Sequence, residues 1–163
     1  MTQDTSLYMT VLMTPDMANF SGAVHGGAML KLLDQVAYAC ASRYSKSYVV
    51  TAALDSVFFK EPINVGELVT FKAHVNYVGQ SSMEIGIKVI AEDIQTQTKR
   101  HTISCYFTMV AKDHDGNSIT VPSLTLETET EKKLFESAKL RKAMRVEMAE
   151  RTKALHVGMA DTD

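Results

Sequence analysis

Asn19-Phe-Ser-Gly-Ala-Val-His-Gly-Gly-Ala-Met-Leu-Lys-Leu-Leu-Asp34-Gln-Val-Ala37 is the stretch that decides the fold. A polar loop leads into a glycine pair, Gly26-Gly27, and the pair opens an apolar run that predicts a helix over 26–44. Met29, Leu30, Leu32, Leu33, Val36, Ala37 and Cys40 form more than a narrow stripe, so the helix is expected to be buried on most sides. Asp34 stands in the middle of that run. An unpaired charge is costly to bury, so this carboxylate needs a partner or a purpose.

Asp34 lies eight residues beyond Gly26, roughly 12 Å along the axis at 1.5 Å per residue. Within one chain it cannot meet the Gly26-Gly27 amides or Asn19 ahead of them. Two such helices lying antiparallel across a two-fold axis would bring them together, and would do so twice. Free N–H groups at a helix start can polarise a carbonyl oxygen that is gaining charge, and glycines let that carbonyl come close. A facing carboxylate can act as general base for water or attack directly. Asn19 can hold the water or the carbonyl through its amide. The chemistry this predicts is acyl transfer to water.

Around this stretch the pattern is mostly strand. Residues 7–13 read as a first strand ending at Thr14-Pro15. Residues 47–59 read as a long strand closed by Glu61-Pro62. Residues 68–78, 82–93 and 101–112 alternate well enough for three more, separated by the Gly79-Gln80 and Thr96-Gln97-Thr98 turns. Met83, Ile85, Ile87 and Val89 share one face, as do Ile103, Cys105, Phe107 and Met109. Asp113 to Asn117 is an Asp-Gly turn leading to a short strand at 118–121. From Glu127 to Lys153 there is no Gly or Pro, and an acidic start followed by a basic middle suits a helix and its dipole; residues 156–163 are expected to fray. Short connections imply an antiparallel sheet. One apolar sheet face and one apolar helix predict an α+β fold with the sheet wrapped around the helix. The domain boundaries expected are 1–125 for this body and 126–163 for a C-terminal helical extension.

Composition narrows the function. The chain has 163 residues, 45% of them apolar and 22% charged, enough for a core and a wetted surface. A net charge of −2 gives no overall attraction to nucleic acid or to an anionic membrane, so neither is expected as a partner. No run reaches the roughly 18 apolar residues of a membrane span, and the first residues have neither a basic nor an apolar leader region. Cys40 and Cys105 sit in apolar context without metal-type spacing, so no metal is expected and a cytoplasmic setting is.

The residues quoted above, with Leu-Leu-Asp34-Gln-Val-Ala-Tyr38, Val50-Thr-Ala52, Phe59-Lys-Glu-Pro-Ile63, Gly66-Glu-Leu-Val69, Val78-Gly-Gln-Ser-Ser-Met-Glu-Ile85 and Arg100-His-Thr-Ile-Ser-Cys-Tyr-Phe-Thr-Met-Val110, resemble the hotdog-fold acyl-CoA thioester hydrolases. The match runs from about 7 to 122, and the last helix is similar to the tail of bacterial members. The resemblance implies a hotdog fold, dimers of hotdogs and a trimer of such dimers. It implies an acyl-CoA substrate, with coenzyme A entering as part of the substrate and no separate cofactor. It places the catalytic pair at Asn19 and Asp34 of opposite subunits, the oxyanion-binding end at Gly26 and Gly27, and the coenzyme A strand along Gly79, Ser81, Ser82 and Met83.

Several of these residues also have ordinary readings. Asp34 can be a helix acid that reaches solvent, and Asn19 a cap or turn residue. His25, counted here among the substrate-lining groups, sits where a histidine hydrogen-bonds locally rather than serving as base. Ser81 and Ser82 lack the G-x-S-x-G elbow of a nucleophile. Lys60 and Arg100, with Lys99 and His101, are candidates for the coenzyme A phosphates, since an acidic protein still needs local cations there. Two other functions compete: a hotdog hydratase or dehydratase using His25 with an acid, and a non-catalytic acyl-CoA-binding module.

Overall fold

The computed structural model describes residues 3–155; the terminal stretch 156–163, expected to fray, lies outside the described residues. The chain divides into one unit up to Thr125 and a second from Leu126. In the first, strand β1 (Ser6–Leu12) and a short 3-10 turn (Pro15–Met17) precede helix α1 (Gly26–Ser45). Strands β2 (Tyr48–Asp55), β3 (Leu68–Val78), β4 (Ser82–Asp93) and β5 (Thr98–Lys112) follow. The sheet order is β1-β3-β4-β5-β2 and every pairing is antiparallel. The sheet wraps the one long helix, which is the hotdog arrangement.

The packing follows from two periodicities. On α1 the buried residues are Met29, Leu33, Val36, Ala37, Cys40, Ala41 and Tyr44, spaced so that they line one side of a 3.6-residue helix. On the strands the period is two: Val69, Phe71, Ala73 and Val75 of β3, Met83, Ile85, Ile87 and Val89 of β4, and Ile103, Cys105, Phe107 and Met109 of β5 are all buried. Helix and sheet faces together make one core. Burial pushes both thiols, Cys40 and Cys105, up to about 12, so each behaves as an inert apolar group.

Some expectations need correction. Within the chain α1 is covered on one side only: Leu30, Asp34 and Tyr38 make an exposed row down its other face. Strand β2 stops at Asp55, and residues 56–67 run as an irregular segment although Val57, Phe58 and Phe59 are apolar. Residues 118–121 make only a bridge, Lys112 to Ser118, and single backbone bonds such as Ile119 N–H to Ala111 C=O. Strand β5 starts at Thr98, three residues earlier than its alternation suggests, because it follows the far end of β4.

Three bulges shape the sheet. They leave Ala52, Asn76 and Thr102 as the extra residues of β2, β3 and β5. Asn76 is buried, donates through Nδ2 to Glu84 Oε1 (3.1 Å) and pairs through Oδ1 with His74 Nδ1 (3.1 Å). Its amide occupies the space where residue 86 would carry a Cβ, which would lie 2.4 Å from Nδ2. A Gly86→Ala substitution should therefore cost about 1–3 kcal/mol, because Asn76 cannot retreat without leaving its partners. A lowered urea midpoint with unchanged slope, at fixed protein concentration, is the expected result.

The second unit holds α2 (Glu129–Ala154). Thr128 accepts from the Glu131 amide while the Glu131 side chain accepts from the Thr128 amide, a reciprocal cap. Ion pairs Glu129–Lys132 and Glu147–Arg151 lie along its surface. No helix among the described residues is long and apolar enough to cross a membrane.

Candidate active site

A cleft of about 310 Å³ opens at the start of α1, lined by Asn19, Ala23, Val24, Gly26, Met29, Phe59, Glu61, Pro62 and Ile63. Its walls are the loop before the helix and the irregular segment after β2. Apolar side chains make most of the lining, and the polar groups offered at the helix end are the Asn19 amide and the Gly26 backbone.

Asn19 is oriented by its own turn. Its Oδ1 accepts from the Ser21 amide (2.9 Å), the Ser21 hydroxyl (2.8 Å) and the Ala23 amide (3.2 Å). Three donors converging on one atom identify it as the oxygen and leave the Nδ2 donors without a partner among the described residues. The turn role that Asn favours thus occupies one atom of the side chain and presents the other. His25 is the N-cap of α1: its Nδ1 accepts from the Gly27 amide at 3.0 Å. An accepting Nδ1 puts the ring proton on Nε2. It also means that the Gly27 amide is already engaged, so among the described residues the Gly26 N–H is the one of the pair that no acceptor takes. Its Cα faces the Phe59 ring, and a Cβ there would lie 3.8 Å from Cζ.

Asp34 is not in this cleft. It lies on the exposed face of α1, where Thr51 of β2 donates its hydroxyl to Oδ1 at 2.6 Å. Thr51 pairs across the sheet with Met109, which pairs with Met83 at the start of β4. The Gly79–Ser82 turn therefore stands at the Asp34 end of the sheet, with Ser82 opposite Val110 and Val110 opposite Val50. The cleft stands at the other end. One chain thus separates two groups of candidate residues: Asn19 and Gly26 in one, Asp34, Thr51 and the turn in the other. Thr51 was not singled out from the sequence; the signal available was its place in the Val50-Thr-Ala52 motif.

The remaining candidates divide. Ser81 and Gly79 are held through their backbones, Ser81 C=O accepting from Ala111 and the Gly79 amide donating to Ser82 C=O. Met83 turns inward and is 1% exposed, so its side chain belongs to the core and only its backbone borders the turn. Lys60 is exposed on the cleft segment, its amide donating to Thr102 C=O. Arg100 differs from expectation most. Its guanidinium grips Glu67 with both terminal nitrogens, donates to Pro62 C=O (2.7 Å) and pairs with Glu61 (3.0 Å), so four of its five N–H donors are engaged within the chain. Among the described residues no group of three or more His, Cys, Asp or Glu is placed to hold a metal ion.

Known proteins resemble this chain in sequence and in fold. The sequence profile of the thioesterase superfamily matches residues 21–98. VdlD of Helicobacter pylori is 50% identical over 141 residues, covering 86% of this chain and 80% of that protein. A hexameric acyl-CoA thioesterase, solved in its apo form, superposes with a TM-score of 0.86 at 34% identity, covering 90% of this chain and 94% of that one. An acyl-CoA hydrolase from Staphylococcus aureus, solved with butyryl coenzyme A, coenzyme A and coenzyme A disulfide, has a TM-score of 0.81 at 29% identity over 93% of this chain and 95% of that one. Structures of that hydrolase also exist with alanine replacing an asparagine, an aspartate and a threonine that follow one another at fifteen and seventeen residues. Asn19, Asp34 and Thr51 have the same spacing. The chain belongs to the thioesterase superfamily. Within it, it stands with the acyl-CoA thioester hydrolases, enzymes that split a thioester with water.

Proposed function

We propose that this protein hydrolyses acyl-CoA to a free carboxylic acid and coenzyme A at a site shared by two chains. Asn19 and Gly26 of one chain face Asp34 and Thr51 of the other across a two-fold axis. The observation that supports this reading is the separation itself. The one carboxylate lining the cleft of carbonyl-polarising donors, Glu61, is paired with Arg100, and the exposed acid that matches those donors lies roughly 12 Å further along the same helix. An isologous dimer joins each half to its complement. The exposed Leu30 and Tyr38, on the row of Asp34, suit such an interface.

In this site the thioester carbonyl oxygen points at the Asn19 Nδ2–H and the Gly26 N–H. Water attacks the carbonyl carbon while the Asp34 carboxylate takes its proton. The tetrahedral oxyanion is held by the two N–H donors in the largely apolar cleft. It collapses, the C–S bond breaks, and the departing sulfur recovers the proton from Asp34. Direct attack by Asp34, through a mixed anhydride that water then opens, uses the same groups. Thr51 holds Asp34 in the rotamer that either route needs. The steps are made by the chain's own residues, with coenzyme A arriving as part of the substrate. The Gly79–Ser82 turn, with Ser81 and Ser82 hydroxyls at the Asp34 end, lies where the coenzyme A arm would run. We further infer a trimer of such dimers, six chains as the hexameric relative has, and a reducing cytoplasmic setting in which Cys40 and Cys105 stay as thiols.

Thiol release from a panel of acyl-CoAs of increasing chain length tests the function. Turnover of at least one member is expected; release from none would overturn the reading. Hydration of an enoyl-CoA, followed by loss of its absorbance, is expected to be absent.

A further inference from the structure

Arg100 stands 33 residues from Glu67 in sequence and far from Asn19, yet a continuous set of hydrogen bonds connects all three. Glu67 is one of the few charged residues in the interior, 7% exposed. Arg100 takes both of its carboxylate oxygens, one of them at 2.9 Å from Nη2. The same carboxylate accepts from the Asn64 amide at 2.7 Å. Asn64 forms a bridge with Ala23, and the neighbouring Ile63 C=O accepts from the Val24 amide at 2.7 Å. The Ala23 C=O accepts from the Asn19 amide at 2.7 Å, and the Ala23 amide is one of the three donors that aim the Asn19 side chain. Arg100 also holds Pro62 C=O and Glu61, and the next bulge residue, Thr102, holds the Lys60 amide. Segment 60–64 is therefore fixed to β5 on one side and to the Asn19 turn on the other.

We infer that Arg100 is a positioning residue for the reaction: through Glu67 and the 61–64 segment it sets the cleft wall and the Asn19 amide, and it is not a ligand of the coenzyme A phosphates. Bidentate grip on a mostly buried carboxylate is a task for which a planar guanidinium is suited and an ammonium is not. The guanidinium hydrogen-bonded to Glu67 holds that carboxyl below the usual carboxylate range, so the pair stays charged through the neutral region. Four of the five guanidinium N–H donors of Arg100 are engaged inside this cluster, which leaves one for any other partner.

This inference rests on the thioesterase reading, and its test separates the two. Wild type, Arg100→Gln, Arg100→Lys and Glu67→Gln are assayed with butyryl-CoA and with its 3′-dephospho analogue, and the exchange rate of the Val24 amide is followed by mass spectrometry. Positioning predicts that kcat falls about tenfold or more in all three variants with KM within about twofold, equally for both substrates. It also predicts faster exchange at Val24 and no rescue by lysine. Glu67→Gln keeps the side chain's shape, so it reads the effect even where Arg100→Gln folds poorly. A KM increase that vanishes with the dephospho substrate, or recovery by lysine, would make Arg100 a phosphate ligand and overturn the inference. Unchanged kcat with only a lower melting temperature would overturn it as well. If wild type turns over no acyl-CoA the thioesterase reading fails, and the Val24 exchange still decides whether Arg100 controls the Asn19 turn.

Discussion

The Asp34→Ala variant is expected to release coenzyme A about 10²–10⁴-fold more slowly than wild type, the range that removal of a general base produces. The fold should survive, because Asp34 is exposed within its chain and loses one hydrogen bond, from Thr51. At about 0.5–1.5 kcal/mol that loss is small against the stability of a domain. Asn19→Ala is expected to lose turnover as well, and it gives up the three hydrogen bonds that its Oδ1 accepts in the turn. The shared-site reading then makes a stronger prediction. When the two inactive variants are unfolded and refolded together, half of the dimers formed carry one substitution on each chain. Each of those has one doubly damaged site and one intact site. About a quarter of wild-type activity should return, by the statistics of random two-fold pairing. A site contained within one chain predicts no return at all, so the mixing experiment distinguishes the architectures whatever the detailed role of Asp34.

The second large effect concerns a single atom. Asn19→Asp preserves the side-chain shape and the oxygen that accepts from Ser21 and Ala23, and a charged acceptor would strengthen those bonds. What it removes is the Nδ2–H, and it sets a negative charge where the oxyanion would form. A kcat loss of about 10²–10³-fold is expected, comparable to deleting one oxyanion-hole donor, with the Asn19 turn intact by amide exchange. If Asn19 instead accepted from the attacking water, an aspartate would serve as well or better. Near-normal turnover by Asn19→Asp would therefore reverse the assignment of the amide as donor.

Much of the fold is legible in the sequence because its elements declare themselves locally. The bounds of β3 and β4 coincide with their alternating runs, and α1 begins at the first glycine of the pair. Where local pattern and tertiary pairing disagree, the pattern misleads. Val57, Phe58 and Phe59 look like the end of a strand but fall beyond the last β2–β5 pair, Asp55 with Tyr106, and Phe59 instead lines the cleft. Asp34 looks buried because its neighbours in sequence are apolar, yet it stands in an exposed row with Leu30 and Tyr38. The site shows the same divide. Asn19, Asp34 and the glycines stand out by type and spacing. That His25 engages the Gly27 amide, or that Arg100 is committed to Glu67, depends on contacts that no local periodicity encodes. A cation read from sequence is only a charge; its address is set by the fold.

The sheet order has a consequence for how the molecule is made. Strand β2 pairs with β5 alone, and its first residue, Tyr48, lies opposite Lys112. Thr51 therefore emerges from the ribosome long before the strand that must hold it exists. Strands β3, β4 and β5 are sequence neighbours and can close as hairpins without waiting, whereas β2 must be captured across a long loop, the slow kind of contact. The meander is then the early scaffold, and the Thr51–Asp34 contact is among the last to form. Nascent chains, and chains interrupted before β5, carry Asp34 without its threonine.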